Sequence, residues 1–158
     1  MLFITLTIAL AQSQGEAPST DGPAGLEDVT HALSYRHAKP CSELEALTTT
    51  PVATLRHVVQ EVQMPPWAPM RAAECLQRNH AQEVRDDLLR WVSEPEMKGL
   101  GRQVVGLLDV LPEPLAVEVA REALVGPVAE RARVVMARDT RPGIVQLLEG
   151  QLPEEVSP

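Results

Sequence analysis

Apolar residues recur along this chain at helical spacing, in stripes cut by prolines and glycines at nearly even intervals. Ala68, Ala72, Cys75 and Leu76 stand at i, i+4, i+7 and i+8, and Val84, Leu88, Trp91 and Val92 repeat that face. Leu100, Val104, Leu107, Leu108 and Leu111 give a third stripe, and Ala116, Val119, Ala120, Ala123 and Leu124 a fourth. The pattern predicts helices and no strand. Asn79 with Gln82, Ser93 with Glu96, and Ser42 with Glu45 have the spacing of capping boxes. Pro112, Pro114 and Gly126-Pro127 separate one helix from the next.

An apolar residue, two spacers and a proline appear as Val62-x-x-Pro65, Val92-x-x-Pro95 and Leu124-x-x-Pro127, at intervals of 30 and 32 residues. Arg71 with Leu76, then Arg102 with Leu107, keep the same step. Self-similarity at such a period is the mark of stacked repeats. Each unit reads as two antiparallel helices, near 66–92, 95–125 and 128–149. No unit can bury both of its stripes alone, so neighbours must stack. The expected fold is all-α, a short right-handed α-solenoid of about three to four repeats.

The flanks are less regular. Leu26, Val29, Ala32 and Leu33 open a weak first helix running to about His37, and Ser42 to Leu47 a short second one. Thr50-Pro51 starts a third, with Val52, Leu55, Val59 and Val62 on one side, so that Leu26 to Gln63 reads as a degenerate repeat. Val128, Ala132, Val135 and Met136, then Ile144, Val145, Leu147 and Leu148 behind Thr140, form the last pair. The repeat domain is thus expected over residues 26–150, with an acidic tail at 151–158. Ahead of it, Met1 to Ala11 (MLFITLTIALA) has the apolar core and Ala-x-Ala ending of a signal peptide, cut before Gln12, although no Lys or Arg precedes it. Residues 12–25 have the composition of a flexible linker. The apolar run is about half the length that a membrane span needs.

Composition sharpens this picture. Hydrophobic residues make up 44% of the chain but aromatic ones only 3%, so the core must be built from Leu, Val and Ala. Fourteen basic residues against 22 acidic ones give a net charge of −8, which repels a phosphate backbone. Besides Phe3, the aromatic residues are Tyr35, Trp67 and Trp91, too few for a base-stacking platform.

The segment Met70-Arg71-Ala72-Ala73-Glu74-Cys75-Leu76 resembles the Arg- and Ala-rich first helix of bacterial HEAT-like repeat proteins. The Pro-ended second helices, Trp91-Val92-Ser93-Glu94-Pro95 and Ala123-Leu124-Val125-Gly126-Pro127, fit the same pattern, and the likeness covers about residues 42–149. Pro65, Pro66 and Pro69 stand where that family often has an acidic residue before the Arg. The resemblance implies a protein-interaction scaffold without chemistry of its own. A few helical-repeat proteins are lyases or glycosylases, so fold alone does not decide function.

Motifs for chemistry are missing: there is no Gly-x-Ser-x-Gly elbow, phosphate loop, His-Glu-x-x-His or Cys-x-x-Cys. Asp86, Asp87, Glu118 and Glu122 are expected on outer helix faces. Trp67, between Pro66 and Pro69, is a candidate contact ridge. Arg131, Arg133, Arg138 and Arg141 crowd one end of an acidic protein, read either as a solvated face or as a docking patch for an acidic partner. His31, His37, Cys41 and Cys75 contain ligand types for zinc or copper, in a spacing that matches no standard site. The two cysteines are more simply used as a disulfide, Cys41–Cys75, bringing the irregular first repeat onto the regular one. The alternative is a buried Cys75 and a surface thiol at Cys41. The function expected is a non-enzymatic, extracytoplasmic helical-repeat module that binds another protein, with no cofactor or metal. The competing reading is a cytoplasmic HEAT-like enzyme or enzyme accessory of the chromophore-lyase kind.

Overall fold

Small side chains at helical spacing can bury a stripe only against another helix, and the chain folds on that basis. The computed structural model describes residues 22–35 and 39–151. The signal-peptide and acidic-tail assignments, most of the linker, and His37 lie outside the described residues. Within them are α1 (Leu26–Ser34), α2 (Cys41–Glu45), α3 (Pro51–Glu61), α4 (Ala68–Asn79) and α5 (Arg85–Ser93). Then follow α6 (Lys98–Gly106), α7 (Glu113–Val125), α8 (Ala129–Met136) and α9 (Pro142–Gln151). Short 3₁₀ turns occupy Pro95–Met97 and Leu108–Val110, and the described residues contain no strand. No helix among them is long and apolar enough to cross a membrane.

The central stripes are buried as the spacing predicts. Ala68, Ala72, Cys75 and Leu76 of α4, Leu88, Trp91 and Val92 of α5 with Val84 just before it, and Ala116, Val119, Ala120, Ala123 and Leu124 of α7 all join one core. Each buried Leu or Val in that set is worth about 1.5–3 kcal/mol of transfer free energy. Three details differ from the pattern. In α3 the buried face is Thr54, Leu55 and Val58, while Val52, Val59 and Val62 are only half-buried. Thr54 is tolerated inside because its hydroxyl bonds that of Thr48 at 2.8 Å. In α6 the inward positions are Leu100, Gly101, Val104 and Val105, and Leu107 is half-buried because the helix ends at Gly106. The capping boxes do not form. Asn79 is the last residue of α4 and donates to Glu45 at 2.8 Å, Ser93 closes α5 by donating to the Arg90 carbonyl, and Ser42 lies inside α2.

Helix contacts follow two series. α4 touches α6 and α6 touches α8, while α5 touches α7 and α7 touches α9. Among helices consecutive in the chain, the most extensive packing joins α3 to α4, α5 to α6 and α7 to α8. Each of those three pairs straddles one of the apolar-x-x-Pro motifs, so the motif marks the turn inside a tightly packed pair. The expected units placed it at their borders. Glycine makes two of these approaches possible. A Cβ on Gly101 of α6 would collide with the carbonyl oxygen of Trp91, and one on Gly126 would meet that of Val92 at 2.5 Å.

Polar side chains bind across the same step. Gln77 of α4 is fully buried and donates to the carbonyls of Val104 (2.9 Å) and Leu107 (3.0 Å). Gln103 of α6 donates back to Met70 O at 2.5 Å. On the other series, Arg56 of α3 meets Asp87 of α5 at 2.6 Å, and Arg85 of α5 pairs with Glu118 of α7. Asp87 and Glu118, expected on outer faces, are the acids that receive these arginines. Such partly exposed pairs are screened by solvent, and they set register more than stability.

Candidate functional site

Two side-chain groups are candidates for a site, one around α2 and α4 and one beside α8. At the N-terminal side, Cys41 of α2 and Cys75 of α4 form a disulfide, with sulfurs 2.11 Å and Cα atoms 5.3 Å apart. This is the pairing expected from sequence, and it consumes two of the four residues considered as metal ligands. His31 instead stands edge-on to Tyr35, whose hydroxyl lies 3.2 Å from its Nε2. Arg71 adds a polar bond in the same region, donating to Lys39 O at 2.9 Å. Its other amino group and Arg78 grip Glu74, at 2.5 and 2.9 Å. Burial raises the Glu74 carboxyl, but the bonds from Arg78 and Arg71 outweigh it and hold the group below its ordinary range. Arg102, one interval after Arg71, is exposed, so the shared sequence landmark is not a shared contact.

Trp67 stands just before α4. Its indole N–H donates to Leu33 O at 2.9 Å and ties α1 to the body, while 41% of the residue remains exposed. Met64, across the cis bond to Pro65, is more open still. Trp67, the candidate ridge, thus has its indole N–H anchored and much of its surface open.

The arginine cluster divides into two roles. Arg141 is mostly covered: its guanidinium donates to Leu108 O and Leu111 O, both at 3.0 Å, and grips Asp139 at 2.5 Å. Asp139 also accepts the Arg141 amide at 3.0 Å, which holds the turn into α9. Bonding to Arg141 outweighs burial and lowers the Asp139 carboxyl, and Asp139 in turn raises Arg141. The pair is a structural clamp. Arg131, Arg133 and Arg138 are exposed, and no ion pair engages them among the described residues.

Arg131, Val134 and Val135 share one face of α8, with Val135 partly buried against the core, and Arg138 follows just past the helix end. With Asp109 and the clamp they line an open cleft of about 510 Å³. Gly106 forms its floor, and the Arg131 guanidinium lies 3.9 Å from where a Cβ on that glycine would stand. Arg133 lies instead on a neighbouring, more apolar depression of about 430 Å³ with Val145 and Leu148. The sequence marks the arginines by charge density. It does not mark Gly106 or Asp109, which reach the cleft from α6 and the turn after it, some twenty residues or more before α8. Comparison with protein-family models, curated proteins and solved structures finds no match to this chain.

Proposed function

We propose that this chain is a non-enzymatic helical-repeat module that binds another protein outside the cytoplasm. The reading takes the two helix series as a short right-handed α-solenoid of antiparallel pairs, HEAT-like in kind. Polar links between residues about one sequence interval apart support it, since stacked units bind their neighbours in that way. The observation that carries the binding role is the cleft beside α8, where exposed arginines flank Val134, itself 48% exposed. Mixed cationic and apolar concavities of this sort suit a protein partner, because arginine supplies both contact area and directed donors. The Cys41–Cys75 bridge and the apolar N-terminal run support an oxidising compartment.

A photo-crosslinking residue at position 134, with another at exposed Gln60 as control, tests the binding role in the native cell. A discrete protein adduct at 134 and none at 60 is the expected outcome. Adducts at neither position would defeat the reading. The mature N-terminus, found by mass spectrometry, is expected at Gln12; a retained Met1 would place the chain in the cytoplasm instead.

A further inference from the structure

We infer that the cleft between α6 and α8 takes an acidic peptide segment of the partner protein, with Asp109 limiting its affinity. The charge balance of the cleft is the starting point. Arg141 and Asp139 neutralise each other, and every short contact of the clamp is turned inward to the Leu108 and Leu111 carbonyls or to the pair itself. That leaves Arg131 and Arg138 against Asp109, a surplus of positive charge in a chain whose net charge is −8. Residues 127–144 carry four arginines against Glu130 and Asp139. A ligand of uniform negative charge, such as a nucleic acid backbone, is repelled by the rest of the molecule. A short acidic segment reaches the local positive field without bringing many charges near the acidic body.

The shape agrees with an extended segment. Arg131 lies in α8 and Arg138 just past its end, seven residues apart and so roughly 10 Å along the helix direction, a gap that long arginine side chains can close to carboxylates four residues apart, about 13 Å, on one face of an extended strand. Val134 and Val135 lie between them, so an apolar side chain two residues from each acid, on the same face of the strand, meets an apolar surface. Gly106 leaves the floor open beneath Arg131.

The inference rests on the protein-binding reading above, and its test is arranged to fail separately. The full-length chain is titrated into a fluorescein-labelled peptide of Glu-Ser-Val-Ser repeats, which places Glu and Val on one face of an extended strand, followed by anisotropy. Saturable binding is expected, weakening about tenfold between about 50 and 300 mM NaCl. R131E/R138E should weaken it about tenfold or more, whereas R121E, an exposed change on α7, should not. D109N should tighten binding by about threefold, since it removes a like charge; a purely structural role for Asp109 would not give that sign. G106L should weaken binding with an unchanged melting temperature, because its side chain fills the floor.

No saturable binding, or binding indifferent to R131E/R138E and D109N, overturns the inference. Tighter binding of a labelled oligothymidylate than of the peptide overturns it in favour of a phosphate ligand. A dimer in ultracentrifugation that R131E/R138E dissolves overturns it in favour of a second copy of this chain. If the peptide fails while the crosslink at position 134 survives, only the acidic assignment falls. If both fail, the module reading falls too.

Discussion

Gln77, wholly inside the protein, spends its side-chain amide on the carbonyl oxygens of Val104 and Leu107, twenty-seven and thirty residues further along the chain. The side-chain oxygen has no partner, so the residue is held for its two donors. Gln77→Leu keeps the volume and removes both bonds. Both carbonyls keep a backbone donor, from Leu107 N–H (3.1 Å) and Val110 N–H (3.2 Å), so the loss is that of the two side-chain bonds, about 0.5–1.5 kcal/mol each, and a fall in melting temperature of a few degrees is expected. An unchanged melting curve would show that the bonds are incidental.

Gly101 is required by closeness rather than by an unusual backbone angle. Its Cβ would overlap the Trp91 carbonyl oxygen, and Val128 stands 3.2 Å away on the other side. Gly101→Ala gains helix propensity of about 1 kcal/mol but must push α5 and α6 apart, an overpacking cost of about 1–3 kcal/mol. Net destabilisation in urea unfolding is the expected outcome. Gly99, with open space around it, serves as control, and Gly99→Ala should stabilise.

The disulfide is expected to be complete in protein prepared without reductant. Thiol titration after denaturation should find no free thiol, and two would exclude the bridge. C41A/C75A removes a link across a sequence separation of 34 residues. The loss expected from chain entropy is about 3–4 kcal/mol, read as a lower midpoint of denaturant unfolding.

Acid should weaken the C-terminal clamp. The folded protein holds the Asp139 carboxyl below its ordinary value, so on acidification the unfolded chain takes up that proton first. The stabilisation is therefore complete above about pH 5 and is lost as pH falls through the lowered folded value. Glu74 acts in the same direction. Melting temperature measured from about pH 6 to about pH 3 should fall more steeply for wild type than for Asp139→Asn, with the two curves converging in acid. Parallel curves would count against the clamp.

Leu107 and Leu108 show how far the hydrophobic pattern reaches. Both fit the stripe that begins at Leu100, but the helix stops at Gly106 and a 3₁₀ turn follows, which rotates Leu108 inward and leaves Leu107 half-buried. Leu108→Ala should cost about 2–5 kcal/mol and Leu107→Ala clearly less, as read by chemical unfolding. Periodicity assumes that a helix continues, so it errs where one ends. It held along α4, α5 and α7, where each stripe ends before its helix does. The cysteine pair was legible because two cysteines allow a single pairing. Gln77 was not legible, since a polar residue in a stripe looks like an interruption until its acceptors are known. The split among the arginines was hidden for a related reason: Arg131 and Arg141 have the same chemistry, and only the carbonyls of Leu108 and Leu111, distant in sequence, distinguish them.

Those bonds across one interval also bear on how the molecule is made. As the chain leaves the ribosome, the carbonyls of Leu108 and Leu111 wait for Arg141, and Gln77 waits for Val104 and Leu107. Each newly emerged stretch stays unfinished until about thirty more residues have followed, as the separations of 27 to 33 between these partners require. Folding must then trail synthesis by a constant lag, and the nascent chain remains pliable behind its own leading end.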